Sequence, residues 1–232
     1  MFDLNDAGTQ TVFGDLIPDG TFCKIKFHLK DGGIDGSGPH DKGLLKASKS
    51  SDAKMLDAEL TVVDGPFAKR KIFQMFTVSG GSVDEKGVSK GWKITKPILR
   101  AMIDSCVGLR QDDMSDAAQA KRVLKGMRDL EGLTFVAKIA VEPGQAKPDG
   151  TFYNDKNTME RVIVPGDSQY ADVMAGKPVA AEPSNRKRPA ASAVAPQAQT
   201  WGAPPAAAPA AQSWSGAPAA QAPAAGPAWL NG

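Results

Sequence analysis

The sequence predicts a mainly β protein, a small five-stranded barrel with a helical insertion between strands three and four, followed by a disordered Ala/Pro-rich tail. Three observations carry this. Five short segments alternate apolar and polar residues with a period of two. Between the third and fourth, apolar residues recur at helical spacing instead. From about Lys177 the composition collapses to Ala, Pro, Gln, Ser and Gly, and no charged residue follows Arg188.

The first strand is TFCKIKFHLK, Thr21 to Lys30. Cys23, Ile25, Phe27 and Leu29 point one way, and Phe22, Lys24, Lys26, His28 and Lys30 the other. A long Gly- and Ser-rich loop follows to Lys54, predicted mobile and carrying Lys42, Lys46, Lys49 and Lys54. The next run sets Leu56, Ala58, Leu60 and Val62 against Asp57, Glu59 and Thr61; after the turn DGPFA, KRKIFQMFTV completes a hairpin. Ile98, Met102, Ile103 and Val107 share one face of a helix over about Lys96 to Val107, stopped by Gly108. Ser115 caps a second predicted helix that ends at Gly132. LTFVAKIAVEP and TMERVIVP are the last two strands, and DSQYADVMAG is a short closing helix. This count and order are those of an oligonucleotide-binding (OB-like) barrel. An open α+β sheet with its helices on one face also satisfies them.

Of 232 residues, 41% are hydrophobic and 23% charged, as in ordinary globular proteins. Residues 177–232 offer too little apolar surface to offset their ordering entropy, which leaves 1–176 as the folded domain. A formal net charge of +2 does not by itself imply nucleic acid. Cys23 and Cys106 lack paired spacing and read as thiols in a reducing cytoplasm. The start MFDLNDAG has neither a basic region nor an apolar stretch, and no run approaches membrane-spanning length, so export and membrane insertion are not expected.

Catalytic and cofactor signatures are weak. His28 and His40 have no nucleophile elbow beside them. GPHDKGLL has glycines at phosphate-loop separation, but Leu44 and Leu45 stand where such a loop needs Lys and Ser or Thr. No Cys or His pair has zinc-ligand spacing, and neither an enzyme nor a cofactor or metal is expected.

Basic and aromatic residues remain. Phe22, Lys24 and Lys26 share a face of the first strand. Lys71 and Phe73 share one on the third, Lys46 and Lys49 lie in the loop, Trp92 adjoins Lys93, and Lys138 is the basic residue on the outer face of the fourth strand. Lysines alternating with hydrophobes also describe any solvated strand face. Their accumulation, with Asp57, Glu59, Asp112, Asp113 and Asp116 set elsewhere, points to single-stranded nucleic acid: cations follow phosphates and rings accept bases.

The run ELTVVDGPFAKRKIFQMFTV, then WKITKPILRAMIDSCVG and DLEGLTFVAKIAVEPG, resembles a family of bacteriophage and prophage proteins found with replication and recombination functions and regarded as single-stranded DNA-binding proteins or their relatives. The resemblance covers about Leu16 to Pro165. It rests on the Gly65-Pro66-Phe67 turn into a basic strand, the helix ending at Gly108 and the Leu130-Glu131-Gly132 turn. It departs at Lys69, where a glycine is expected. It implies an OB barrel and a role in DNA metabolism within a bacterial host. The layout of barrel and low-complexity tail is similar to that of bacterial single-stranded DNA-binding proteins, whose tail tips recruit replication and recombination partners; the end here, GPAWLNG, lacks their acidic tip. Trp201, Trp214 and Trp229 are candidate partner contacts, and NRKRP is a candidate phosphate contact. The alternative is a non-catalytic adaptor whose tail is the working part. Oligomer formation is compatible with either.

Overall fold

The computed structural model describes residues 16–184 and Arg186. Strand β1 (Thr21–Lys30) is its hub, pairing antiparallel with β3 (Lys54–Val62) on one side and β5 (Thr134–Glu142) on the other. β4 (Lys71–Ser79) extends the sheet beyond β3, and β6 (Lys156–Ile163) extends it beyond β5. A two-residue strand, β2 (Lys46–Ala47), pairs with the start of β3 and is the one strand that alternation does not reveal. The result is a six-stranded open antiparallel sheet. Between β4 and β6 there is no ladder among the described residues; the Met159 N–H instead donates to Oε1 of Gln74 at 3.2 Å.

The predicted inner faces are the observed ones. Ile25, Phe27 and Leu29 meet Leu56, Ala58, Leu60, Val62, Ile72 and Phe76 in one core, with Phe135, Ala137 and Ile139 opposite. The Phe27 and Phe76 rings tilt against each other at 6.0 Å. Burial of each such side chain contributes about 1.5–3 kcal/mol. Cys23 lies in this core, where burial, with Asp64 nearby, pushes its thiol up to about 12, so it stays protonated and inert.

Helix α1 (Lys90–Val107) follows β4 and presents Leu99, Met102 and Ile103 to the core, ending at Gly108 with φ 71°. It begins earlier than the spacing predicts. Ser89 caps it by accepting from the Trp92 N–H at 3.3 Å, and Pro97 lies well inside. The predicted second helix is divided into α2 (Asp116–Lys121), capped by Ser115, and a 3-10 turn (Met127–Leu130). Gly126 stands at the break because a β-carbon there would come within 2.7 Å of Asp41 Oδ1. Helix α3 (Tyr170–Met174) is the predicted closing helix; its Tyr170 hydroxyl donates to the Ser105 carbonyl of α1 at 2.7 Å.

One expectation needs correcting. The lysine-bearing loop is pinned rather than loose: Leu44 and Leu45 are buried, and Asp41 accepts from the N–H groups of Gly38, Met127 and Arg128, each at 3.0 Å. Burial pushes the Asp41 carboxyl upward, but those donors and the Arg128 charge outweigh it and hold the group below the usual range. Beyond α3, the Glu182 N–H donates to the Gly20 carbonyl at 3.0 Å and the Ser184 N–H to Asp19 Oδ2 at 2.7 Å.

Candidate nucleic-acid interface

Pairing of β1, β3 and β4 sets the outward residues in three rows. Lys26 lies opposite Thr61 and Thr61 opposite Lys71; His28, Glu59 and Phe73 form the next row; Lys30, Asp57 and Met75 form the third. Phe73 is 60% exposed and Met75 55%, although both belong to a regular strand. Neither is held outward by packing needs, because the inward positions of β4 are already filled by Ile72 and Phe76. The Lys30 ammonium lies over the Phe73 ring, 5.3 Å from its centroid.

The central strand supplies acids. Lys71 Nζ is 2.8 Å from Glu59 Oε1, and Lys46 Nζ is 2.6 Å from Asp57 Oδ2. The hydrogen bond from Lys71 holds the Glu59 carboxyl below its usual range. Each pair joins an exposed lysine to a half-buried carboxylate, and surface pairs contribute little to stability, about 0–1 kcal/mol. His28 Nδ1 lies 2.6 Å from Glu131 Oε1, while Oε2 of the same carboxylate accepts from the Leu29 N–H at 2.6 Å. The Leu130-Glu131-Gly132 turn thereby docks on β1.

Beside Phe73 and Met75 a groove of about 340 Å³ runs between β4 and the base of the β5–β6 hairpin, where Glu142 and Lys156 close the pairing. The hairpin tip beyond them carries a second exposed ring: Tyr153 is 59% exposed, with Lys147 Nζ 5.2 Å from its centroid. Phe73 lines the groove, and Tyr153 lies on the hairpin that rises from its far side.

The structure distributes the sequence-predicted residues among three places. Phe73, Lys71, Lys26 and Lys46 share the open face just described, with Lys49 exposed in the adjoining loop. Phe22, Lys24 and Lys138 lie elsewhere. Phe22 does sit on the basic side of β1, but it is only 8% exposed, packed with Val136, Ile163 and Val173 beneath α3. It cannot offer its ring to a base in this arrangement. Lys24 pairs with Asp64 at 2.8 Å, and Lys138 reaches Glu160 at 3.5 Å and Glu182 at 4.0 Å. Trp92 and Lys93 are on α1, where Trp92 packs partly against the core and Lys93 pairs with Asp84. Trp201, Trp214 and Trp229 lie outside the described residues.

Lys30, Met75, Lys147 and Tyr153 belong to the open face or its hairpin yet are absent from the sequence-derived set. The Pro148-Asp149-Gly150 turn between Lys147 and Tyr153 was the available signal for the last two. Among the described residues no group of His, Cys, Asp and Glu is arranged to hold a metal ion, and no helix is long and apolar enough to cross a membrane.

No protein-family model, curated protein or solved structure matches the chain.

Proposed function

We propose that this protein is a non-enzymatic, sequence-tolerant single-stranded DNA-binding protein acting in phage-type replication or recombination in the cytoplasm of a bacterial host. The observation that carries the reading is the exposed Phe73 ring with Lys30 over it, in a strand face that also bears Met75, Lys71 and Lys26. A base stacks on such a ring for about 1–3 kcal/mol, and the lysines neutralise the phosphates between bases. In this proposal the strand order β4-β3-β1-β5-β6 is an OB barrel whose last seam, at Gln74 and Met159, is left unlaced. OB barrels take oligonucleotides on the outer face of their second and third strands and on the loops beside it. The counterparts here are the β3–β4 face and the β5–β6 hairpin with Tyr153. DNA enters over Lys26 and Lys71, crosses Phe73 and Met75, and follows the groove toward Tyr153.

Fluorescence anisotropy with a labelled oligo-dT at two salt concentrations tests this. Binding that weakens as salt rises, with about 0.7 counterions released per phosphate neutralised, is expected. Absence of binding at low salt overturns the proposal, and binding indifferent to salt removes its electrostatic part. An oligo-U arm reports whether the 2′-hydroxyl is tolerated.

A further inference from the structure

Between α1 and the segment 111–127 lies a larger groove of about 940 Å³ that the DNA track does not use; the two grooves share no lining residue. Its floor is Leu99 and Ile103, both nearly buried, and its walls include Trp92, Met114, Val123 and Leu124. Met114 is 60% exposed and Val123 75%, values that indicate an apolar surface without a covering partner in this chain's described residues. The charged side chains lining the groove are all cations: Lys93, Lys96, Arg100 and Arg122.

The balance of charge there is positive. Lys93 is offset by Asp84. Asp104, fully buried beneath the groove, serves two guanidinium groups, Arg122 at 2.6 Å and Arg100 at 3.6 Å; the Asp113 carboxylate also feels the Arg122 charge, which leaves Arg100 and Lys96 as the cations short of anions. Lys96 has no carboxylate within ion-pairing distance among the described residues and is exposed. Arg122 is held in place by donating to the carbonyls of Asp113 and Arg110 as well as to Asp104, which fixes the geometry of the cationic rim. An apolar trough with a fixed cationic rim matches a segment that alternates or pairs aliphatic or aromatic anchors with carboxylates.

We propose that this groove is the docking site for an acidic peptide segment of a partner protein, its apolar side chains seated between Trp92 and Val123 and its carboxylates on Lys96 and Arg100. The chain's own tail does not fit the chemistry, because it carries no charged residue after Arg188. Single-stranded nucleic acid would leave the aliphatic walls formed by Met114 and Val123 without stacking partners, whereas leucine or phenylalanine side chains fill them. The site goes beyond DNA binding and does not depend on it.

The probe is a fluorescein-labelled synthetic peptide alternating Asp and Glu with Leu and Phe, titrated against the full chain by anisotropy, beside the same peptide with Asn and Gln in place of the acids. The acidic peptide is expected to bind about tenfold more tightly than the neutral one. Lys96→Glu and Val123→Asp, both at exposed positions that leave the core untouched, are expected each to weaken it by about tenfold while leaving oligo-dT affinity unchanged. Equal binding of the two peptides, or peptide affinity unmoved by both variants, overturns the proposal. It is also overturned if the variants weaken oligo-dT as much as peptide, which would make the groove part of the DNA track. A wild-type dimer that Val123→Asp dissociates in sedimentation would assign the groove to a second copy, and a gain in peptide affinity on deleting 187–232 would assign it to the tail.

Discussion

Lys30 and Phe73 meet across a strand that belongs to neither of them: the ammonium on β1 reaches over β3 to within 5.3 Å of the ring centroid on β4. The contact caps an aromatic surface with a cation that can exchange the ring for a phosphate. It ties the stacking and neutralising parts of the proposed interface into one unit.

Phe73→Ala is therefore expected to weaken oligo-dT binding by about 1–3 kcal/mol, with Phe73→Tyr close to wild type. The ring is mostly exposed, so the urea midpoint of Phe73→Ala should stay near wild type, which separates lost stacking from lost folding. An alanine variant that binds normally removes Phe73 from the interface.

Glu59→Gln is expected to strengthen binding. Glu59 holds Lys71 at 2.8 Å and competes with phosphate for it; the neutral amide releases the lysine. The gain should be up to about 1 kcal/mol, the usual worth of an exposed pair, and should shrink as salt is raised. Anisotropy at two salt concentrations measures both. Weaker binding by Glu59→Gln would place Lys71 outside the DNA path.

Asp41→Ala is expected to lower stability by about 3 kcal/mol, because it strands the Gly38, Met127 and Arg128 N–H groups where the flanking Gly36, Gly38 and Gly126 have no side chains to take over as acceptors. Urea denaturation measures this. The lowered carboxyl pKa gives the pH dependence its sign: the stabilisation is complete above the unfolded aspartate value of about 3.9 and is lost as pH falls through the lower folded value. Asp41→Asn should flatten that acid limb.

Lys69→Gly is expected to raise stability. Lys69 is the only non-glycine residue with positive φ among the described residues, at 68° in the β3–β4 turn, where its N–H donates to the Val62 carbonyl at 2.8 Å. The left-handed conformation costs a lysine about 1–2 kcal/mol, and glycine's greater freedom when unfolded returns part of that. A net rise in Tm of about 2 °C by differential scanning calorimetry is the expected outcome.

Alternation made the strands legible because one face of each is buried, so a period of two carries the information. It assigned Ile25, Leu60 and Ile72 inward and Phe73 outward. It assigned Phe22 outward as well, correctly as to side, but alternation says nothing of α3, which arrives from the far end of the domain to cover that position. The loop failed for a related reason: two of the three N–H donors that hold Asp41, those of Met127 and Arg128, lie 86 and 87 residues away, beyond any local pattern. The candidate site was legible as a basic and aromatic strand face, without the hairpin ring at Tyr153. Which lysines already have carboxylate partners was not, because that depends on register between strands.

Ile17 and Asn157 stand 140 residues apart in the chain and exchange two hydrogen bonds, the Ile17 N–H to Asn157 Oδ1 at 2.9 Å and the Asn157 amide to the Ile17 carbonyl at 2.8 Å. With β1 also waiting for β5, the first strand cannot complete its pairings until nearly the whole domain has left the ribosome. Such distant closures place folding in the range of milliseconds to seconds rather than microseconds. The β1–β3–β4 meander, which needs only nearby sequence, is the part able to assemble first, and it is the part that carries Phe73 and Lys30.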